Sequence, residues 1–187
     1  PLSNYSNGLW TSFQTWKSRL PDNGQELNAK LIFADSTPRK EDYATARLPY
    51  SLEEGSPDAW GTLIGTLYDE DARRKLEWLI GSIVAGDSKR IQKFAVLYGP
   101  PGSGKSTVLN ILELLFQGYT TTFDAGALGS KSDQFATSTL GKSSLVAIDQ
   151  DGDLSRIETN GLLNSIVAHE TILINEKGMK RYPKRVN

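Results

Sequence analysis

The sequence predicts an α/β fold in which an open parallel β-sheet is flanked by helices, with a small, mostly helical region before it. Two observations predict this fold: a glycine-rich octapeptide at residues 99–106, and apolar strands that alternate with amphipathic helices. Such alternation is typical of a parallel sheet, because each strand needs a crossover helix before the next parallel strand. Ligands in such folds lie at the carboxyl ends of the strands.

Helices are predicted where apolar residues recur with a helical period, and strands where short apolar runs end in turn residues. The helices are expected over residues 9–20, 58–68, 70–84, 106–116, 132–140 and 158–168. The strands are expected over residues 30–34, 94–98, 119–123, 144–148 and 171–175. Trp60 and Trp78 are interpreted as core residues of two of these helices rather than as platforms for base stacking.

Residues 99–106 read Gly-Pro-Pro-Gly-Ser-Gly-Lys-Ser and fit the phosphate-binding pattern G-x-x-x-x-G-K-[ST] without a mismatch. Gly102 and Gly104 let the backbone curl so that successive N–H groups point inward, and the helix that follows adds its positive dipole end. A simple turn between a strand and a helix is the weaker alternative. The residues expected to bind ATP are Gly99, Pro100, Pro101, Gly102, Ser103, Gly104, Lys105, Ser106 and Thr107.

Two side chains of this loop have expected roles in the chemistry. Lys105 is expected to bring a mobile positive charge to the outer phosphates of ATP. The Ser106 hydroxyl is expected to bind the Mg²⁺ ion that accompanies the nucleotide.

An acidic residue ends the apolar run 144–148. A hard cation prefers carboxylate oxygens, so Asp149 is the second predicted Mg²⁺ ligand, and the segment resembles a Walker B element. A glutamate that orients the attacking water commonly follows this aspartate, but here the next residue is Gln150. The catalytic base therefore stays open between Gln150, Asp151 and Asp153, beside the catalytic Lys105 and Asp149.

Two other interpretations apply to this acidic run. A calcium-binding loop would need glycine at its sixth position and glutamate at its twelfth, which here are Leu154 and Asn160, so it is rejected. A solvated acidic turn in which only Asp149 is functional remains an alternative.

A basic segment follows the last predicted strand. Turn residues within it predict a hairpin or a protruding loop that follows a phosphate backbone, with Tyr182 available for base stacking. A solvated surface loop is an equally weighted alternative. Neutralisation of single-stranded DNA by all five cations would give a slope of log affinity against log salt of roughly −3.5. The cations expected to bind DNA are Lys177, Lys180, Arg181, Lys184 and Arg185.

Composition excludes several classes of protein and site. A net charge of −1 argues against a generally basic nucleic-acid coat. The chain has no cysteine, which excludes disulfides and thiolate metal sites, and its single histidine, His169, is expected at the surface near a helix end. No apolar stretch approaches the ~20 residues of a membrane span, and no signal peptide is visible, so no membrane partner is expected.

A helical collar, a phosphate loop, an acidic strand end and a basic hairpin follow one another along the chain. This order resembles the AAA+ core of superfamily 3 helicases, in particular the helicase domains of phage and plasmid primase-helicases. The resemblance covers residues 58–187, and the stretches that carry it are Leu76–Gly81, Lys93–Gly99, Gly104–Thr107 and Leu140–Asp149.

The resemblance implies a P-loop NTPase of the AAA+ (ASCE) type that acts as an ATP-driven DNA helicase or translocase in phage or plasmid replication. It implies a homo-hexameric ring on single-stranded DNA, with Lys177, Lys180 and Arg181 where the channel hairpin of the family carries its cations. The same resemblance implies a primase region in the same polypeptide. It also implies that the protein acts in the cytoplasm of a bacterial host.

Three regions are expected on this basis: an N-terminal region of uncertain role at 1–57, which is a linker or a collar, a helical collar at 58–92, and the ATPase core at 93–187. The sensor asparagine and arginine finger of the family would lie beyond Asn187, so the core is expected to be truncated at its C-terminus. A chain that begins at Pro1 is expected to be a fragment, and the activity of such a fragment alone is left open.

Two rival functions remain. A nucleotide kinase would share the phosphate loop, but it needs an arginine-rich lid, and residues 118–141 contain no arginine. A nucleotide-gated scaffold that binds DNA without hydrolysing ATP is consistent with Gln150 in place of a glutamate.

Overall fold

The computed structural model describes residues 8–9, 12–13, 16, 27–130, 133–141, 144–152 and 159–186. From residue 27 onward the described residues form six α-helices and four short strands. The helices are α1 (Asp58–Leu67), α2 (Glu70–Ala85), α3 (Ser88–Ile91), α4 (Lys105–Leu115), α5 (Ala125–Gly129) and α6 (Gly161–Val167), and a 3-10 turn spans Ser138–Gly141. The strands are β1 (Thr120–Thr122), β2 (Val146–Ile148), β3 (Thr171–Ile174) and β4 (Tyr182–Arg185).

The strands form two separate two-stranded sheets. β1 and β2 are parallel, with Thr120 opposite Val146 and Thr122 opposite Ile148, and α5 and the 3-10 turn lie between them in the chain. β3 and β4 are antiparallel, with Ile174 opposite Tyr182. The basic segment is thus the turn and second strand of a hairpin.

The predicted open parallel sheet of an AAA+ P-loop NTPase is wrong for this structure. The described residues contain one parallel pair and one antiparallel pair, and no sheet joins them. Residues 94–98, the predicted strand before the glycine loop, form no strand, and Tyr98 is 98% exposed. β3 pairs with its neighbour in sequence, β4, because closing a short hairpin costs less chain entropy than a distant parallel pairing.

Predictions for individual elements had mixed outcomes. The helices predicted over 58–68, 70–84, 106–116 and 158–168 and the strands over 119–123, 144–148 and 171–175 are confirmed within a few residues, where described. The strands over 30–34 and 94–98 are wrong, and of the helix over 132–140 only the 3-10 turn is present.

The N-terminal part differs from its prediction. Most of the helix predicted over 9–20 lies outside the described residues, although its described members are helical. Residues 27–57 contain no helix, so the expectation of a mostly helical region is wrong for this stretch.

Local sequence explains where the two longest helices begin. The side chain of Asp69 accepts a hydrogen bond from the amide of Ala72 at 2.8 Å, which caps α2, and Gly86 ends this helix with a φ of 67°. α4 begins directly after Gly104. Its residues Val108 and Leu112 lie four positions apart, so both face the core, and both are buried.

The largest core cluster joins α4 to its neighbours. It brings together side chains from α1, α2, α4 and β2, with partly buried residues such as Trp60 around it. Its buried members are Ile64, Leu76, Val108, Leu112, Phe116, Val146 and Ile148. Trp78 is 54% exposed, so its interpretation as a core residue is wrong.

A second cluster lies beneath the hairpin and a third beneath the N-terminal segment. Leu128, Leu140, Ile172 and Ile174 form the second cluster, with Tyr182 packed against it. The described helices include none long and apolar enough to cross a membrane.

Residues 27–50 pack against the part of the chain that follows the glycine loop. The Tyr119 hydroxyl accepts a hydrogen bond from the amide of Ile32 at 3.1 Å and donates one to the carbonyl of Ala46 at 2.6 Å. Tyr119 is fully buried in the third cluster, with Phe33 and Leu48. The packing is therefore continuous across the predicted boundary at residue 57.

An ion pair in this N-terminal segment makes stability depend on pH. The Lys30 ammonium lies 2.8 Å from Asp42, and the Arg39 amide also donates to this carboxylate. These contacts lower the pKa of Asp42 from 3.8 to about 2. A depressed pKa contributes stability that is fully present above pH 3.8 and is lost as the pH falls towards 2.

We expect Asp42→Asn to lower the melting temperature at pH 6 and to flatten the loss of stability between pH 4 and 2, because the variant lacks the titrating group. Thermal unfolding followed by circular dichroism across this pH range measures both effects. Asp35→Asn is the control, since Asp35 is exposed and has no ion pair among the described residues. Equal acid sensitivity of wild type and Asp42→Asn would contradict the assignment.

Candidate functional site

The glycine loop lies at the surface, between the exposed stretch 94–98 and the first turn of α4. Gly102 has a φ of 79° and Gly104 a φ of 82°, both in the left-handed region where a side chain is strained. The Ser103 amide donates to the Pro100 carbonyl at 3.3 Å, which closes the turn. The predicted ATP-binding residues thus form one open loop that ends at a helix N-terminus.

The side chain of Lys105 folds back over this loop. Its Nζ donates to the carbonyls of Gly99 at 2.8 Å and Pro100 at 2.9 Å, and lies 3.4 Å from Ser103 Oγ. Lys105 forms no ion pair with the described residues. The positive charge therefore lies over the loop and is not neutralised by a carboxylate.

Helix α1 supports the loop from below. A Cβ at Gly104 would lie 3.0 Å from Cδ1 and 3.2 Å from Cδ2 of Leu67, the last residue of α1. A Cβ at Gly102 would meet no atom within 4 Å. Both positions favour glycine for their backbone conformation, and at Gly104 a Cβ would also require the side chain of Leu67 to shift.

Asp149 follows β2, and its carboxylate is hydrogen-bonded to two amides outside the glycine loop. Its Oδ2 accepts from the amide of Ala125, the first residue of α5, at 2.9 Å, and its Oδ1 accepts from the amide of Asp151 at 3.2 Å. No hydrogen bond or ion pair joins Asp149 to Lys105 or Ser106, all three of which are described. The structure does not bring the two predicted Mg²⁺ ligands into contact.

Gln150 is directed towards the middle of α4. Its Nε2 donates to Glu113 Oε1 at 3.1 Å and approaches Asn110 Oδ1 at 3.5 Å. Asp151 is exposed, and Asp153 lies outside the described residues. Among the described side chains, no group of three or more histidines and carboxylates is arranged to hold a metal ion.

Sequence reasoning missed Asn110 and Glu113 as partners of Gln150. Their only signal is a spacing of three residues, which puts both on one polar side of α4. The contact of this side of α4 with Gln150 depends on packing between distant segments of the chain. No local sequence pattern therefore identifies it.

The basic segment separates into an exposed loop and an anchored strand. Lys177, Lys180 and Arg181 lie in the loop between β3 and β4, are exposed, and form no ion pair with described residues. Gly178 has a φ of 82°, which a tight turn requires. Three of the five predicted DNA-binding cations thus project into solvent together.

The other two cations anchor β4 to its surroundings. Lys184 Nζ donates to the Gly141 carbonyl at 2.8 Å, and Arg185 Nε donates to the His169 carbonyl at 3.2 Å. His169 follows α6 as expected for a residue at a helix end, has a φ of 56°, and its Nδ1 lies 3.1 Å from the Val186 carbonyl.

Tyr182 is not placed as a free platform for base stacking. It is half-buried against the second core cluster, and its hydroxyl donates to Glu176 Oε1 at 2.6 Å. Burial, and then the hydrogen bond to Glu176, raise the pKa of the Tyr182 phenol. The stacking role predicted for this ring would require it to leave the hairpin.

Comparison with known proteins gives one match. Residues 97–186, which contain the glycine loop, Asp149 and the hairpin, match the model of DUF5906, described as a family of unknown function. No curated protein and no solved structure matches the chain.

The two loop glycines should differ in their tolerance of alanine. We expect Gly102→Ala to cost about 1–2 kcal/mol of unfolding free energy from its left-handed backbone alone. Gly104→Ala should cost more, because its Cβ also meets Leu67. Combining Gly104→Ala with Leu67→Ala should recover the part of the unfolding free energy that is lost through this contact. A double-mutant cycle based on urea unfolding measures that part.

Gly65→Ala is the matched control, since this helical glycine has open space around its Cβ position. The control should stabilise the protein by about 0.5–1 kcal/mol, as expected for alanine in a helix. Equal costs for Gly102→Ala and Gly104→Ala, with no coupling to Leu67, would contradict the support of the loop by α1.

Proposed function

We propose that this chain binds the triphosphate of ATP at the loop 99–107. The observation that carries the proposal is the backbone of this loop: two left-handed glycines followed directly by the N-terminus of α4. Successive N–H groups in such a turn, together with a helix N-terminus, favour an anion. The three-turn helix that follows, buried on one side, holds the loop in this conformation.

Lys105 supports the same proposal. Its ammonium donates to two loop carbonyls and is not paired with a carboxylate among the described residues. When ATP binds, a charged phosphate oxygen would take the place of these neutral acceptors and accept a stronger hydrogen bond. The exchange costs little and gains charge-assisted hydrogen bonds, which is what a phosphate-binding lysine needs.

Mg²⁺ would enter with the nucleotide, with Ser106 and Asp149 as its proposed ligands. A carboxylate has about four lone pairs, and each oxygen of Asp149 accepts one amide hydrogen, so capacity remains for a cation. Ser106 and Asp149, both of which the structure describes, form no hydrogen bond with each other, and the binding of the triphosphate by the loop does not require them to share an ion.

The partner proposed for the hairpin is single-stranded DNA. Lys177, Lys180 and Arg181 project from one turn, and the net charge of the whole chain is only −1, so this loop is a local positive feature. The backbone phosphates would be bound by these cations without reading sequence.

The resemblance to superfamily 3 helicases supports a wider proposal. ATP hydrolysis at the loop would drive a DNA helicase or translocase of phage or plasmid replication, assembled as a homo-hexamer in the cytoplasm of a bacterial host, with a primase region in the same polypeptide. This proposal now rests on the motifs and on their order along the chain, not on the sheet, which differs from the one that the resemblance implied.

A nucleotide-gated scaffold that binds DNA without turnover is the second candidate. The contact of Gln150 with Glu113 favours it, because one of the three candidates for orienting water is bonded to the middle of α4 instead. Stimulation of ATP hydrolysis by DNA would select the helicase, and nucleotide binding without turnover would select the scaffold. Phosphate transfer to a nucleoside monophosphate would select a kinase.

Removing the loop cation tests the nucleotide site. We expect Lys105→Ala to weaken binding of a fluorescent ATP analogue at least tenfold, since hydrogen bonds to charged groups contribute about 1.5–3 kcal/mol. ATP hydrolysis, where wild type shows it, should be abolished. Lys93→Ala, which removes an exposed lysine just before the loop, should bind as wild type does. Unchanged affinity and turnover in Lys105→Ala would refute the site.

Removing two hairpin cations tests the DNA site. We expect Lys177→Ala combined with Lys180→Ala to weaken binding of a labelled single-stranded oligonucleotide and to spare nucleotide binding. Each phosphate contact contributes roughly 0.7 to the slope of log affinity against log salt, so the slope should fall by about 1.4. The control combines Lys40→Ala with Lys89→Ala, which removes the same charge at two exposed sites. Equal affinity in both double variants would remove the role of the hairpin.

A further inference from the structure

The cationic loop 177–181 is closed at its base by one side-chain hydrogen bond. Glu176 directly precedes the loop and Tyr182 directly follows it, and the Tyr182 hydroxyl donates to Glu176 Oε1 at 2.6 Å. Backbone pairing of the hairpin ends at Ile174 and Tyr182, so Glu176 lies beyond the ladder. The bond between these side chains extends the hairpin past its last backbone pair.

Gly141 provides the surface against which this bond lies. A Cβ at Gly141 would clash with Glu176 Oε1, and it would come 2.8 Å from the Tyr182 hydroxyl and 3.2 Å from Cγ2 of the buried Ile174. A larger residue would therefore displace the pair. The Gly141 carbonyl also accepts from Lys184 Nζ at 2.8 Å. The base of the loop is thus held against the 3-10 turn by contacts on both sides of Gly141.

We infer that Gly141, Glu176 and Tyr182 form a latch that holds the cationic loop in one position, and that these three are positioning residues for the binding of nucleic acid. The inference rests on the proposed function of the loop. A loop held in place loses less conformational freedom when its lysine and arginine side chains bind phosphates, and this raises affinity.

The charge of Glu176 makes the inference sharply testable. A carboxylate beside three cations repels phosphate, so charge alone predicts that removing it tightens binding to DNA. The latch predicts the opposite for Glu176→Ala, because the hydroxyl of Tyr182 loses its acceptor. Glu176→Gln separates the two effects, since its amide oxygen still accepts the hydrogen bond while the charge is gone.

The experiment measures the affinity for labelled oligo-dT by fluorescence anisotropy in wild type, four single variants and one double variant. Glu176→Ala and Tyr182→Phe should each weaken binding about threefold to tenfold, and combining them should add little. Glu176→Gln should bind at least as tightly as wild type. Gly141→Ala should weaken binding as Tyr182→Phe does, because its Cβ displaces the ends of Glu176 and Tyr182. The same Cβ comes 3.2 Å from Cγ2 of the buried Ile174, so the melting temperature of this variant is measured beside its affinity.

A second measurement does not depend on DNA. Trypsin cleaves after Lys177, Lys180 and Arg181, and a held loop resists cleavage more than a free one. At a temperature well below unfolding, Glu176→Ala, Tyr182→Phe and Gly141→Ala should be cut faster in this loop than wild type, and Glu176→Gln at the wild-type rate.

The outcomes separate failure of the latch from failure of the proposed function. Tighter or equal DNA binding by Glu176→Ala, together with unchanged cleavage, would overturn the latch. If the three variants are cleaved faster but the wild type does not bind DNA, the latch is supported and the DNA partner is refuted. Faster cleavage with DNA affinity unchanged would refute the positioning role.

Discussion

The burial of one face of α4 is the constraint on which the rest of the structure depends. Val108 is 1% exposed and Leu112 5%, and both belong to the core cluster that includes Ile64 of α1 and Ile148 of β2. Each fully buried aliphatic side chain contributes roughly 1.5–3 kcal/mol, far more than the short strands contribute through their few hydrogen bonds. The position of this helix therefore determines the position of the glycine loop and the residues that the loop contacts.

The same helix connects the two parts of the candidate site. Its N-terminus ends the phosphate loop, and its middle accepts the Gln150 amide through Glu113. The hairpin is held separately, by the second cluster and by Gly141. The proposed nucleotide site and the proposed nucleic-acid site thus have different supports, so variants at one are expected to spare the other.

Features set by neighbouring residues, such as helices and turns, are predicted correctly from the sequence. Features set by the pairing of distant segments, such as the sheet, are not. The apolar period of α4 and the turn residues of the hairpin are local features, and the helix and the turn are predicted from them. Phe94 and Val96 are residue types that favour strands, but each is more than half exposed. A strand also needs a partner to pair with, and residue type alone does not provide one. The open parallel sheet was wrong for that reason.

The candidate site follows the same division. The loop 99–107 is contiguous, so one motif contains all of its predicted residues, and two of its glycines, Gly102 and Gly104, have left-handed backbone conformations. The contact of Asp149 with Ala125 joins segments far apart in the chain, and nothing near Asp149 in sequence indicates it. Gly141 lies within one of the stretches that carry the resemblance, but its place beneath Glu176 and Tyr182 is visible only in three dimensions.

The backbone amides of the glycine loop provide the most direct test of the central claim that a triphosphate binds there. In ¹⁵N-labelled protein titrated with ATP, the amide resonances of Gly102, Gly104 and Lys105 should shift and saturate together. Those of Gly65 and Gly178, which lie in α1 and in the hairpin, should stay in place. Loop resonances that do not move at millimolar ATP, or shifts confined to other parts of the chain, would contradict the account.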